Sequence, residues 1–440
     1  MTHLNSFKLP DGFMLGSATS ATQIEGGDKN NSWYEWCLWG NIEDGSSCLR
    51  AADHWNRYEE DIGLLKKLNH KVYRMSIEWS RIEPQKGSYD KEAIAHYKAE
   101  LELLKRHGIR PLVTLHHFSN PVWFESEGGF ENKSCVKNFV RYAEYVVEEF
   151  GDLASEYITI NEPNVYALNG YHYGIWPPGK MDMKLMYKVL KNMVISHVEA
   201  YKSIHRLRRE RGFTGTTMVG AAYHLRVFAP YSKKPSDILA ARIIEYMFQS
   251  ALMLSMSNGF LYAPIGAGFP YEIGCYSDFI GVNYYSRSAV HLEGLRNDVM
   301  PDTPRNDLGW EIYPSGLYEI CRKWHKKLKL PIWITENGTC DKSDTFRSRY
   351  IYDHLIEVLR LCNEGVPVER YYHWSLMDNF EWLHGESAPF GLVAVNFETQ
   401  ERSVKRSGEF YAEVCKSNGV TDQMIKKYFG GGNVEGKQAD

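Results

Sequence analysis

Tyr157-Ile158-Thr159-Ile160-Asn161-Glu162 and, far downstream, Pro331-Ile332-Trp333-Ile334-Thr335-Glu336 are apolar, strand-like runs that each reach a Glu where the chain gives way to a turn. They are two of eight such β-rich runs, at 13–19, 72–77, 110–117, 157–162, 217–225, 278–285, 331–336 and 370–376. The segments between them carry helical patterning, as at 61–68, 97–104 and 136–150, where apolar residues recur at spacings of three and four. Strand then helix, repeated, describes either a closed parallel barrel or an open doubly wound sheet, and periodicity alone does not separate the two. The strand ends tip the balance. His117, Glu162, Tyr285, Glu336 and Trp374 place polar and aromatic groups at the C-terminal ends of their runs, the face on which a barrel builds its site. The expectation is an α/β chain forming a single (β/α)8 TIM barrel over residues 1–418. A partly flexible tail over 419–440 follows, containing Gly430-Gly431-Gly432-Asn433 and a polar stretch. The full 440 residues exceed the usual length of one domain, but barrels of this kind routinely do.

The balance of 51 basic against 55 acidic residues leaves a net charge of -4 and no broad positive field, so nucleic acid is not an expected partner. No apolar run reads as long enough to span a membrane. Eight cysteines form no Cys-x-x-Cys pair and no Cys/His cluster at zinc spacing, and residues 1–10 lack the charged-then-apolar layout of a secretory signal. They read as reduced thiols of a cytoplasmic protein, a setting in which the sequons at Asn30, Asn132 and Asn337 carry no weight. Aromatic residues make up 14 % of the chain and suit both a core and a pocket for partly polar ligands.

A pair of carboxylates delivered to one cleft from two strand ends is what glycoside hydrolysis needs: one protonates the leaving oxygen while the other meets the developing oxocarbenium carbon. Either Glu alone reads more readily as a solvated loop charge; the pair in this setting points to a sugar-cleaving enzyme cleaving a small-molecule substrate. Seven ordered blocks then carry a wider resemblance: 13–19 with Gln23-Ile24-Glu25-Gly26, Tyr73-Arg74-Met75-Ser76-Ile77-Glu78-Trp79-Ser80-Arg81-Ile82, Thr114-Leu115-His116-His117-Phe118, the two Glu segments, Asp278-Phe279-Ile280-Gly281-Val282-Asn283-Tyr284-Tyr285, and His373-Trp374-Ser375-Leu376-Met377-Asp378-Asn379-Phe380-Glu381-Trp382. In them the chain resembles glycoside hydrolase family 1, the β-glucosidase family, along nearly its whole length.

The resemblance implies a (β/α)8 barrel and a retaining β-glycosidase that uses neither metal nor organic cofactor, acting on terminal β-D-glucosyl residues, with β-galactosides and β-fucosides as secondary substrates. It maps Glu162 to the acid/base and Glu336 to the nucleophile, the two about 5 Å apart as retention requires. Arg74 and Tyr285 occupy positions that supply a cation and a phenol to an ionised nucleophile, with Asn283 supporting it. The adjacent negative Glu336 would keep the acid protonated. Asn161 matches the residue that bonds the sugar 2-hydroxyl; Gln23, His117, Glu381 and Trp382 match those gripping the remaining hydroxyls; Trp374 matches the platform beneath the ring, and Tyr285 also reaches the substrate.

The chain departs from the common pattern after Trp382, where Gly385-Glu386-Ser387-Ala388-Pro389-Phe390-Gly391 lacks a Tyr and a basic pair. That leaves a 6-phospho-β-glycosidase, the runner-up within the family, without support, and a Glu381 carboxylate would repel a 6-phosphate. A catalytically inactive sugar-binding barrel is the other alternative, against which both carboxylates stand. Gly385–Pro389 lacks the second Gly of a serine-hydrolase elbow, and Gly266-Ala267-Gly268 precedes Phe-Pro instead of a helix. The aromatic run Trp33-Tyr34-Glu35-Trp36 with Trp39 lies on the first long βα loop and fits either an aglycone site or packing of that loop.

Overall fold

A computed structural model of the chain describes residues 4–268, 270, 272–293 and 297–430. Its centre is a closed sheet of parallel strands: β1 (Met14–Ala18), β2 (Val72–Ser76), β3 (Arg110–His116), β4 (Glu156–Asn161), β5 (Met218–Pro230), β6 (Ile280–Val290), β7 (Ile332–Asn337) and β8 (Val368–Trp374). In space they run β5-β4-β3-β2-β1-β8-β7-β6, and pairing of β5 with β6 closes the barrel. Helices α1 (His54–Lys67), α2 (Lys91–Arg106), α3 (Cys135–Phe150), α4 (Met183–Arg211), α5 (Pro235–Glu245), α6 (Ser315–Leu328), α7 (Arg347–Asn363) and α8 (Arg406–Ser417) follow the strands in turn. This is the expected (β/α)8 barrel.

Strands of a sheet covered on both faces need apolar residues on both, which is why every residue of β2 and β4 is buried. Val72, Leu112, Ile158, Ala222, Trp333 and Tyr372 form one cluster, while their neighbours Tyr73, Val113, Val282, Ile334 and Tyr371 join the larger core with the helices. The helices begin and stop on local chemistry. Asp90 accepts from the backbone of Glu92 and Ala93 at the start of α2, and Asp182 does the same for α4, which ends at Gly212 with φ +67°. In α3, Phe139, Tyr142, Ala143, Val146, Val147 and Phe150 recur at helical spacing and are all buried. Among the early strand residues, buried Arg370 pairs with Glu156, which also meets Arg110, and the Arg370 guanidinium lies 3.7 Å over Trp333.

Three features differ from the reading of the sequence. Strands β5 and β6 run to Pro230 and Val290, past 225 and 285, and pair with each other from Val227 with Arg287 to Pro230 with Val290. Half-exposed residues from Arg226 to Pro230 carry no apolar alternation, so the partner strand, not the pattern, sustains them. Past residue 418, Gly419–Val420 pairs with Phe7–Lys8, and Asp422–Phe429 is a helix capped by Thr421 that buries Met424 and Tyr428. The final ten residues, 431–440, lie outside the described residues. One continuous helical stretch, Pro235–Asn258, is long and apolar enough by composition to cross a membrane, contrary to the expectation of none; here α5 and its continuation connect β5 to β6 and pack against them.

Candidate active site

Both Glu-bearing strands break their alternation just before the Glu. On β4, Ile158 pairs with Gly220 and Asn161 with Ala222, three residues against two; on β7, Ile334 and Asn337 pair with Tyr371 and His373 in the same proportion. An extra residue of this kind is a bulge, which re-aims the side chains that follow it. On β7 Thr335 is the extra residue, so Thr335 and Glu336 both reach the site; on β4 the shift re-aims Asn161, and Glu162 follows it through a turn. Glu162 sits at φ 40°, ψ 58°, a left-handed conformation costly for any residue but glycine, and Pro163 opens the short helix Pro163–Ala167 at once. Its backbone N–H is held by the Ala222 carbonyl at 2.8 Å.

Arg74, fully buried on β2, organises the floor. Its guanidinium can only donate. Nη1 reaches Glu336 Oε1 and Nη2 reaches Asn161 Oδ1 at 2.6 Å, while Nε bonds Thr114 Oγ1 at 3.1 Å. Because Asn161 accepts with its oxygen, its Nδ2 faces His117 Nε2 at 3.0 Å. That nitrogen must accept, so the His117 proton is on Nδ1, a buried atom with no partner. Burial drives His117 well below its usual pKa, with Arg74 adding to the effect, so the ring is neutral. Asn283 accepts from Thr335 Oγ1 at 2.6 Å and donates to Asn161 Oδ1 at 3.0 Å and to Glu162 Oε1 at 2.8 Å.

Glu336 thus has Arg74 on one oxygen and the Tyr285 hydroxyl donating to the other. Burial pushes its carboxyl up to about 7; Arg74 opposes this, neighbouring Glu162 adds to it, and Tyr285 opposes it. Among the described residues Glu162 has no guanidinium or ammonium in contact. Its Oε1 meets Asn283 and, at 3.2 Å, His224 Nδ1. Gln23 Nε2 donates to Glu381 Oε2 at 3.1 Å and to Asn379 and Phe380, leaving Gln23 Oε1 buried without a partner. Burial, and then the charge of Glu336, push Glu381 up to about 8. His117 stacks between Trp374 and Trp382, at 5.8 and 5.9 Å.

All of the residues singled out from the sequence therefore meet at one end of the barrel. Glu162, Glu336, His117, Tyr285, Trp374, Glu381 and Trp382 line a cleft of about 850 Å³, and Arg74, Asn161, Asn283 and Gln23 lie beneath them. The other wall is apolar, with Trp176, Met186, Phe228, Met247 and Phe248. Trp33 is not part of the lining: it is wholly buried and packs on Trp382 at 4.7 Å and Trp176 at 5.3 Å, so the first loop supports the site by packing. Among the described residues no group of three or more His, Cys, Asp and Glu is placed to hold a metal ion. Sequence reasoning missed His224 and Arg226. Their signal was a polar residue pair closing an apolar strand run, at the end where a barrel keeps its chemistry.

The comparisons with known proteins agree with this geometry. The profile of Glycosyl hydrolase family 1 matches residues 5–260 and 272–420. The chain is 33 % identical to β-glucosidase A of Thermotoga maritima, over 95 % of this chain and 100 % of that protein. It is 29 % identical to a β-galactosidase of Sulfolobus acidocaldarius over 94 % and 96 %. Among solved structures, a β-glycosidase from Pyrococcus horikoshii superposes with a TM-score of 0.89 at 33 % identity, covering 96 % of this chain and 98 % of that one. With the barrel, two strand-end carboxylates and a match along almost all of its length, the chain belongs to glycosyl hydrolase family 1 and is a retaining glycosidase.

Proposed function

We propose that the enzyme hydrolyses terminal non-reducing β-D-glucosyl residues, and more slowly β-D-galactosyl and β-D-fucosyl residues, with Glu336 as nucleophile and Glu162 as acid/base. The names of its relatives, β-glucosidase and β-galactosidase, favour this substrate range. The observation that carries the assignment of roles is the unequal treatment of the two carboxylates. Both oxygens of Glu336 are met by donors, one of them a fixed cation, which favours negative charge there. Glu162, among the described residues, is touched by no guanidinium or ammonium, so the fixed cation singles out Glu336 as the carboxylate held for attack.

In the first step Glu336 forms a bond to the anomeric carbon while the bond from that carbon to the leaving oxygen breaks, and Glu162 passes its proton to that oxygen. In the second, Glu162 takes a proton from water, whose oxygen attacks the same carbon and releases Glu336. Two inversions restore the β configuration. The unpaired Nδ1–H of His117 and Oε1 of Gln23 are a donor and an acceptor without partners, and sugar hydroxyls would satisfy both. Glu381, bonded to Gln23, can accept from one hydroxyl and, when protonated, donate to another.

The test is Glu162→Ala. Activated aryl glucosides should still form the glycosyl-enzyme, turnover should stall at deglycosylation, and azide should restore it with release of a β-glycosyl azide. A folded variant that azide does not rescue assigns the role elsewhere. We also place the enzyme in the cytoplasm, a reading supported by eight unbridged cysteines; titration of fewer than eight thiols in freshly isolated, denatured protein would count against it.

A further inference from the structure

His224 and Arg226 stand on the part of β5 that reaches the rim of the barrel, and both line the cleft. Arg226 approaches His224 Nε2 with two nitrogens, Nη2 at 2.8 Å and Nε at 3.2 Å, and places Nη1 3.0 Å from Ser288 Oγ. A guanidinium has no acceptor, so His224 Nε2 must accept and the ring's proton is on Nδ1. That nitrogen lies 3.2 Å from Glu162 Oε1 and donates to it. Asn283 Nδ2 donates to the same oxygen at 2.8 Å, and its amide orientation is fixed independently, because Asn283 Oδ1 accepts from Thr335. One oxygen of Glu162 is thus loaded with two fixed N–H donors, and among the described residues no donor is directed at the other.

We infer that the pair His224 and Arg226 positions Glu162 for acid catalysis, by reserving Oε1 as an acceptor so that the transferable proton sits on Oε2. The inference rests on Glu162 being the acid/base. A protonated Oε1 would present its hydrogen to two N–H groups, an arrangement with no acceptor in it, so that rotamer is disfavoured. In the glycosylation step the proton leaves Oε2 for the glycosidic oxygen, the bond between that oxygen and the anomeric carbon breaks, and the charge left on the carboxylate is met at Oε1 by donors already in place. No donor has to reorganise as the charge forms. Arg226 acts one bond away: it selects the His224 tautomer, and neutral His224 hands a single N–H to the acid.

The test compares aryl β-glucosides with good and poor leaving groups, because only the latter need the acid. For His224→Leu, kcat/KM on phenyl β-glucoside should fall about 10- to 100-fold, while kcat/KM on the dinitrophenyl glucoside falls at most about threefold. His224→Asn puts an amide N–H at the position of Nδ1 and should recover most of the loss. Arg226→Lys, still donor-only, should keep the wild-type pattern; Arg226→Met should show the His224→Leu pattern in weaker form. In a Glu162→Ala background, His224→Leu should add nothing further. If His224→Leu reduces both substrates equally, or His224→Asn rescues nothing, the positioning role is wrong, even with Glu162→Ala rescued by azide. If Glu162→Ala itself shows neither azide rescue nor leaving-group selectivity, the failure lies in the acid/base assignment instead.

Discussion

Tyr285→Phe removes one oxygen and leaves the ring, so the perturbation is confined to a single hydrogen bond. In the structure that hydroxyl donates to Glu336 Oε2, and Arg74 alone would then serve a carboxylate that is 3 % exposed. A hydrogen bond to a charged group contributes about 1.5–3 kcal/mol. At 1.36 kcal/mol per pH unit, its loss raises the Glu336 pKa by about 1–2 units. The direction follows from which form the phenol stabilises: it donates to the ionised carboxylate, so removing it disfavours ionisation. Since burial already holds Glu336 at about 7, the variant's nucleophile would be mostly protonated at neutral pH. The assay is kcat/KM against pH with nitrophenyl β-glucoside, whose acid limb reports ionisation in the free enzyme. That limb should move up by about 1–2 units, with a lower maximum, while the alkaline limb moves less. An acid limb displaced by less than about 0.3 unit with full activity would refute the reasoning, because the phenol would then contribute nothing to the charge state of Glu336.

Buried carboxyls with raised values make the protein less stable as pH rises: Glu25 and Glu336 at about 7 and Glu381 at about 8 contribute stability in full below their unfolded value of 4.5, and it is lost through about pH 7–8. His54, raised to about 10 by Asp61 and Glu100 against burial, contributes in the same sense, fully below 6.5 and lost toward 10. The thermal midpoint should accordingly fall between pH 5 and 8, and a midpoint that rises over this range would contradict those assignments. Arg370→Met leaves the buried Glu156 with only the half-exposed Arg110, so unfolding should become easier by about 3–5 kcal/mol in a denaturant titration, with activity per folded molecule retained. Among the described residues Arg226 is the only Lys or Arg lining the cleft, and it is engaged with His224, so among them no free cation receives a 6-phosphate. Nitrophenyl β-glucoside should exceed its 6-phosphate in kcat/KM by at least about a hundredfold, Glu381→Ser should narrow that ratio, and preference for the phosphate would overturn the substrate class. Because the carboxylate pair supplies both nucleophile and proton, exhaustive dialysis against EDTA should leave activity intact; loss restored by one divalent ion would contradict this.

The barrel was legible because parallel strands buried on both faces are short apolar runs, and because polar groups closed five of those runs at the same end. The two Glu were legible for the same reason. What periodicity cannot carry is an irregularity: a period of two assigns Asn161 and Glu162, or Thr335 and Glu336, to opposite faces, and a left-handed turn at Glu162 and an extra residue at Thr335 bring both members of each pair to the site. The resemblance named those residues without explaining their direction. Arg226 was passed over because the strand continues through pairing with β6, beyond the point where its own pattern stops, and His224, inside the run, because a single polar residue one short of a run's end does not stand out as chemistry. The role of Trp33 was open in the sequence, since a Trp buries large area wherever it sits; its contact with Trp382 shows it to be support for the site. The ionisation of Glu381 was also beyond the sequence, because it depends on burial and on the charge of a residue distant in the chain.

The most direct measurement of the central claim is to trap the covalent intermediate. A 2-deoxy-2-fluoro-β-glucoside with a dinitrophenolate leaving group slows the second step more than the first, so the enzyme should lose activity with stoichiometric release of dinitrophenol and gain the mass of one fluoroglucosyl group. Proteolysis and mass spectrometry should place that mass on Glu336 alone, with activity returning as the adduct turns over. A label on Glu162 or any other residue, or turnover with no adduct and first release of the α anomer, would contradict a retaining mechanism through Glu336.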